Sequence, residues 1–498
     1  MPNPDSFTIG IDLGTSSVKV VAVGPDGRVA AHARRDYPTV RSEPGVAEQD
    51  PELWLDGLAA ALGELAETVP ARSWRGAGLT AMLPTLVALD EGYAPVAPAL
   101  TWQDDRGEAY GTALRARVGE AELYRRTGQI VDGRYLVPMM QALAAREPSR
   151  CGRAHWIVGA KDYLFHRLTG ELRTDPSTAA GYGCFDIGIG TWIPEIAGLA
   201  EPYALPHVSG ATTILPATDA AAREFGLPAG LPIVLGAADS VLGALAVGAT
   251  KPGQVAYLSG SSTVILGVLD GPHFDDRRRF LVTPTAGPDL AAEMDLLATG
   301  SAIGWLAALV HGDVRAVFAD LPAPTLGSDA PLFLPYLAGG EQGALWDAEL
   351  TGSIVGLGLS HSERDIVRAL ASGIVVESSR CLNVLAEVTG LRGDVFAAGS
   401  GLPQRIVQDL ADASGRRVAV STMAASHSAY GAALLAAETV GAASTGDAAS
   451  TGGAAGAAIQ GRPGPAFVAE PDAARFAEWA AFTDRYDAVR SALRALKR

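Results

Sequence analysis

Cysteine is scarce in this 498-residue chain: there are three, Cys151, Cys184 and Cys381, far apart and in no CxxC pair. That excludes a disulfide framework and a zinc knuckle, and predicts three buried thiols in a reducing compartment. Positive charge is also short. Lys plus Arg total 39 against 55 for Asp plus Glu, a net charge of -16, so neither nucleic acid nor an anionic membrane is an expected partner. Any anionic ligand must be caught locally, by particular groups. No unbroken apolar run reaches the roughly 20 residues that cross a bilayer, and residues 1–6 show none of the basic, apolar, small-residue order of a signal peptide. GxxxxGK[ST] and GxGxxG are both missing, which argues against a P-loop and a dinucleotide fold. What is present is a 48% hydrophobic composition, enough for large cores in two or more domains of an acidic, soluble, cytoplasmic protein.

The first legible segment is the apolar strand Phe7 to Asp12, followed by the turn Gly14-Thr15-Ser16-Ser17 and a second apolar stretch, Val18 to Val23. Pro25-Asp26-Gly27 turns the chain into a third β-like stretch, Arg28 to Ala33. The pattern returns half a chain later: Val255 to Leu258, then Ser259-Gly260-Ser261-Ser262-Thr263, then Val264 to Val268. Two copies of strand, hydroxyl-rich turn and strand predict a duplicated architecture, with two ordinary hairpins as the alternative. Between them, helical stretches (Pro51 to Leu65, Lys161 to Leu168) alternate with strand-like runs (Leu86 to Leu89, Pro232 to Gly236), the mark of an α/β chain. Residues 441–465 are dominated by Gly, Ala, Ser and Thr and read as a flexible loop. Beyond it Phe476, Trp479, Phe482, Tyr486, Val489, Leu493 and Leu496 recur at helical spacing, predicting an amphipathic helix packed on the body.

The chemistry these segments offer is phosphate capture and proton transfer. Asp12 ends a strand; Gly14, Thr15, Ser16 and Lys19 follow with backbone amides, hydroxyls and a cation that can cradle phosphate, while the carboxylate can hold Mg²⁺ through water. Gly260 and Ser261 in the second turn can do the same. Asp239 follows the apolar run Leu231 to Leu235 and the small residues Gly236-Ala237-Ala238, where a carboxylate can take the proton of an attacking hydroxyl in phosphoryl transfer, or simply cap the next helix.

Longer strings then add up. Lys161-Asp162-Tyr163-Leu164, Leu168-Thr169-Gly170-Glu171, Thr174-Asp175 and Phe185-Asp186 follow one another; Trp102-Gln103-Asp104-Asp105-Arg106 precedes them, and Phe333-Leu334-Pro335-Tyr336-Leu337 with Gly340-Glu341 comes after. In this order they resemble the FGGY carbohydrate kinases, the group of xylulokinase, gluconokinase and glycerol kinase, over nearly the whole length. The resemblance implies a two-lobed actin-like (ribonuclease H-type) α/β fold with an interlobe cleft. It implies an N-terminal lobe over 1–240, a C-terminal ATP-binding lobe over 241–440, the loop 441–465 and a closing helix within 466–498. It also implies ATP and Mg²⁺, a small sugar or polyol substrate, closure of the lobes around it, and a homodimer. By the same resemblance Asp239 is the catalytic base and Asp12 the carboxylate near Mg²⁺. Thr15, Ser16 and Lys19 belong to the first phosphate loop, Gly260 and Ser261 to the second, and Gly399, Ser400 and Gly401 to the adenosine segment. Met82, Leu83, Trp102, Asp104, Asp239 and Ser240 line the sugar.

The substrate segment departs from the family. Where xylulokinases carry Gln-Met-His-Gly and glycerol kinases Gln-Arg-Glu-Thr, this chain has Met82-Leu83-Pro84-Thr85, without their polar handles. Losing such donors shifts which hydroxylated substrate is preferred. Ser240, Gln342, Ser372 and Pro403 are smaller departures. A xylulose-like ketose is the leading substrate, with glycerol, erythritol, gluconate, ribulose or a deoxy sugar as alternatives, and a non-catalytic actin-like sensor as the reading of a different class.

Overall fold

A computed structural model of the chain describes residues 6–310, 312, 321–399, 402–421, 426–445 and 464–496. They divide into two compact units. The first holds the chain to Ala246, a short return at Val282–Leu290, and the stretch beginning at Ala425; the second holds Val247–Leu281, Ala291–Ala424 and the chain from Gly464.

The core of the first unit is a six-stranded sheet of β1 (Phe7–Leu13), β2 (Ser17–Val23), β3 (Val29–Asp36), β4 (Trp74–Ala81), β5 (Ile214–Pro216) and β6 (Pro232–Val234), in the order β5-β6-β4-β1-β2-β3. β1, β4 and β6 run parallel; β2, β3 and β5 are antiparallel to their neighbours. One face of β1 presents Ile9, Ile11 and Leu13, all buried, to a core shared with Trp54, Leu55 and Leu58 of α1 (Pro51–Thr68). That helix starts where the sequence signals it: Asp50 Oδ1 accepts the Glu52 amide at 3.0 Å and Pro51 occupies the first turn. Gly10 lies on the opposite face, beneath another helix, so the central strand is covered on both sides.

In the second unit β7 (Val255–Ser259), β8 (Thr263–Val268), β9 (Leu290–Leu296), β10 (Val395–Ala398), β11 (Val418–Ser421) and β12 (Pro465–Ala469) line up as β9-β8-β7-β10-β11-β12. Read from β3 in the first unit and from β9 in the second, both sheets show the same sequence of pairings: antiparallel, antiparallel, parallel, parallel, antiparallel. The duplication expected from two short turns is therefore a duplication of topology.

The partition of the chain differs from a cut at 240 and 440. The helix His427–Thr445 belongs to the first unit, because its small buried residues, Ala429, Ala432, Ala433 and Ala436, lie over the glycines of β1 and β4. Residues 441–445 of the expected loop are the last turn of that helix, Pro465 already belongs to β12, and 446–463 lie outside the described residues. The terminal helix, Ala473–Ala495, follows Asp472, whose carboxylate accepts the amides of Ala474 and Arg475. It buries Trp479, Phe482 and Tyr486 as its periodicity requires, whereas Phe476 is 44% and Leu496 82% exposed, so the ends of the predicted stripe lie outside the core. The helix Glu363–Thr389 is long and apolar enough to cross a membrane, but 83% of its apolar window is buried within the protein, as for a core helix.

Candidate active site

In open α/β sheets, ligands sit beyond the carboxyl ends of the parallel strands. Those ends are where the first unit collects its chemistry. β1 ends on Asp12-Leu13, β4 runs through Thr80 into Met82, and β6 leads into Gly236 to Asp239. Asp12 pairs in register with Lys19 on β2 and with Thr80 on β4, and the Met82 amide donates to the Leu13 carbonyl at 2.9 Å.

Asp12 is buried, at 3% exposure. Its Oδ2 accepts from Lys19 Nζ at 3.0 Å and from Ser426 Oγ at 2.9 Å, while Oδ1, also buried, has no hydrogen-bond partner. A carboxylate oxygen left bare in the interior is expensive unless something cationic meets it, and this atom fits a divalent cation that keeps most of its water. Among the described residues no group of three or more His, Cys, Asp or Glu converges, so any such ion would depend on few protein ligands. The turn after Asp12 is tightly organised: Gly14 N donates to Ser17 O at 3.1 Å, Tyr37 Oη donates to the Gly14 carbonyl, and Gln49 Nε2 to the Thr15 carbonyl at 2.7 Å. Thr15 Oγ1 accepts from Trp102 Nε1 at 3.0 Å, which joins one expected sugar-side residue to the phosphate turn. Ser16 points to solvent.

Asp239 opens the helix Asp239–Val247, and its Oδ1 accepts the amide of Ser240 at 2.9 Å. The approach to it is fixed by Gly236, at φ +74°, where a β-carbon would stand 1.7 Å from the Leu79 carbonyl oxygen. No other residue can make that turn so close to β4. Ser240 itself is buried.

Two expected substrate residues are placed differently. Asp104 has no exposed surface; Ala47 N donates to its Oδ2 at 2.9 Å, and Arg106, which also reaches Glu48, grips both its oxygens. Its carboxylate is held within the protein, where it ties two loops together. Met82 is 2% exposed and belongs to the main core of the unit, whereas Leu83, on a cis bond to Pro84, and Trp102 keep partial exposure.

In the second unit Gly260 and Ser261 form an exposed turn whose carbonyls face inward. Gly300 N donates to Gly260 O at 3.1 Å, and Ser301 N and Oγ both donate to Ser261 O at 2.9 Å. Gly399 lies against the end of β7, where a β-carbon would come within 2.6 Å of the Ser259 carbonyl oxygen. Ser400 and Gly401 lie outside the described residues.

The N-terminal domain of the FGGY family of carbohydrate kinases matches residues 7–246 and its C-terminal domain residues 255–439. The chain belongs to the FGGY family of carbohydrate kinases. It is 26% identical to a gluconokinase of Bacillus subtilis over 74% of this chain and 75% of that protein. It is 28% identical to a xylulose kinase of Escherichia coli over 86% and 89%. The ligand-bound xylulose kinase of Lactobacillus acidophilus superposes with a TM-score of 0.87 over 98% of both chains at 23% identity. The protein is thus a carbohydrate kinase with the two-domain, actin-like FGGY fold, which uses ATP as phosphate donor. Sequence reasoning missed Ser426 of this kinase, the partner of Asp12 from 414 residues away. A serine preceding an Ala-rich helix carries no local signal of that contact.

Proposed function

We propose that this kinase transfers the γ-phosphate of ATP to a hydroxyl of a small ketose, with D-xylulose to D-xylulose 5-phosphate as the leading reaction, in the cytoplasm and as a homodimer. The observation that carries the reading is that Asp12 and Asp239 both stand at the carboxyl ends of parallel strands of one sheet, β1 and β6, on either side of β4. Asp239 takes the proton of the substrate hydroxyl; the freed oxygen attacks the γ-phosphorus as the bond to ADP breaks. Its carboxylate is pre-aimed, one oxygen being held by the Ser240 amide. Asp12 Oδ1 would face Mg²⁺, which when bound neutralises phosphate charge. Lys19 and the Thr15-Ser16 turn are assigned to the phosphates, and Gly260, Ser261, Gly399, Ser400 and Gly401 to the nucleotide. Trp102 and Leu83 supply a largely apolar wall for the carbon chain of the sugar, a surface suited to a carbohydrate's CH faces.

A gluconate substrate is the second reading, favoured by the 26% identity to a gluconokinase. The purified protein, given ATP, Mg²⁺ and a panel of D-xylulose, D-gluconate, D-ribulose, glycerol, erythritol and a deoxy sugar, separates these by kcat/KM for ADP release. D-xylulose is expected to give the highest value, and Asp239→Asn to lower kcat for it by about 10²–10⁴-fold. Faster turnover of gluconate moves the substrate assignment. Stimulation by no sugar, with Asp239→Asn unchanged in ADP release, returns the protein to the non-catalytic sensor.

A further inference from the structure

The segments Lys161 to Leu164 and Thr174-Asp175 hold no expected role in the reaction, yet they form the most thoroughly buried charged network of the first unit. Lys161 is 1% exposed, and Asp162, Asp175 and Ser177 have no exposed surface. Lys161 Nζ stands 3.0 Å from Asp175 Oδ1 and 3.6 Å from Asp162 Oδ1. Asp162 Oδ2 accepts from Tyr182 Oη at 2.6 Å and from the Gly159 amide at 3.0 Å, while its Oδ1 is buried without a hydrogen-bond partner. Asp175 caps the five-residue helix Pro176–Ala180, accepting the Ser177 amide at 2.9 Å on Oδ2 and Thr178 Oγ1 at 2.6 Å on Oδ1.

One bond from this network leads to the site. Ser177 Oγ donates to Asp175 Oδ2, which orients its lone pairs outward, and it accepts the amide of Ala238 at 2.9 Å, 61 residues along the chain and one residue before Asp239. From the other side Thr80 Oγ1, on β4 and without exposed surface, donates to the Ala237 carbonyl at 2.7 Å. The peptide units leading into Asp239 are therefore held by two side-chain hydroxyls, one donating and one accepting, and both hydroxyls are immobilised in the interior. A buried ion pair costs desolvation and is a poor source of stability for its own sake. Its use here is directional: the carboxylate fixes which way the Ser177 hydroxyl points.

We infer that Ser177, oriented by Asp175 and Lys161, and Thr80 are positioning residues that hold the backbone at 237–238 so that the Asp239 carboxylate meets the substrate hydroxyl. The inference rests on Asp239 acting as the base. A displacement of about 1 Å at a reacting group costs on the order of 10²-fold in rate, and ground-state binding need not change with it.

The test is steady-state kinetics on the full chain with ATP, Mg²⁺ and whichever sugar it turns over best, for Ser177→Ala, Thr80→Val, Asp239→Asn and the two double variants with Asp239→Asn. Each single positioning variant is expected to lose about tenfold to a hundredfold in kcat, with KM for sugar and ATP within about twofold of the parent. In the Asp239→Asn background the same changes are expected to leave the residual rate unaltered, because nothing remains to be aimed. A merely structural role would instead move KM and kcat together and add to the loss in the double variants. Should Ser177→Ala not fold, Thr80→Val reads the same backbone from the other side with an isosteric side chain. Wild-type kcat in a folded Ser177→Ala or Thr80→Val, while Asp239→Asn falls to its low residual rate, overturns the positioning role and leaves the base assignment standing. An Asp239→Asn variant that keeps the parent's kcat removes the base assignment, and the positioning role with it.

Discussion

At the scale of single residues, the informative side chains are those whose surroundings conflict with their charge. Glu341 is buried, accepts the amides of Leu297 at 3.0 Å and Gln342 at 2.9 Å through one oxygen, and lies near Glu377. Burial, more than the neighbouring carboxylate, pushes its pKa up to about 8 from 4.5. The folded state then holds a proton that the unfolded chain releases. Between about pH 4.5 and about pH 8 the folded state binds more protons, so this group's contribution, complete below 4.5, is lost as pH rises through 8. Each unit of separation is worth about 1.4 kcal/mol. Glu341→Gln keeps the acceptor and removes the titration. Its denaturation midpoint is expected to fall less than the parent's between pH 5 and pH 8, read by urea unfolding at each pH; parallel profiles would contradict this. Glu341 and Asp104 both stand in strings that resemble the family, and both are enclosed by the protein, because what a carboxylate meets depends on what the fold brings against it.

At the scale of elements, glycines decide how closely helix and sheet approach. Beneath the helix His427–Thr445, a β-carbon on Gly10 would lie 1.7 Å from the Ala429 carbonyl oxygen, and one on Gly78 2.1 Å from that of Ala432. The helix answers with alanines on that face, so backbone meets backbone. Gly10→Ala is expected to destabilise the protein by about 1–3 kcal/mol or more, since neither partner is a flexible side-chain end that could swing away. Thermal unfolding checks this, with Gly63→Ala, in open space within α1, as the control that leaves the midpoint unchanged or slightly higher. The strands and helices themselves were legible. Pro51 to Leu65, Leu86 to Leu89 and the terminal aromatic stripe were foreseeable from periodicity alone, because local pattern and packing demand the same thing there. That Gly10 and Gly78 serve one helix, 350 residues and more downstream, was not legible, since a glycine in a strand does not announce what will lie over it.

At the scale of the whole molecule, the chain is discontinuous in space. The first unit is completed by the helix His427–Thr445, whose Ala429, Tyr430, Ala432, Ala433, Leu434, Leu435 and Ala436 are almost wholly buried. A fragment ending at Ala246 would leave the glycine-lined face of β1 and β4 bare and Asp12 without Ser426. Residues 1–246 expressed alone are therefore expected to lack a cooperative thermal transition and to bind an apolar dye, whereas the full chain does neither; a cooperatively melting fragment would refute this. The same discontinuity explains why a boundary near 440, natural from composition, misplaces the helix: Ala-rich sequence looks like linker until a sheet with glycines is found for it.

By itself the sequence determined the class of molecule. Its paired strand-turn-strand segments carried the duplicated α/β fold, and the ordered FGGY strings carried the kinase family, because both depend on local pattern and on residue types that survive at low identity. Asp12 and Asp239 were nameable for the same reason: each stands at a strand end marked by small residues. The tertiary structure decided which of the other candidates are enclosed and what they meet. Asp104 and Met82 are enclosed, Ser177, held by Asp175, reaches Ala238, and Ser426 reaches Asp12, through contacts spanning 57 to 414 residues. Burial and partnership over such separations are properties of the packed chain, and no window of sequence contains both members of the pair.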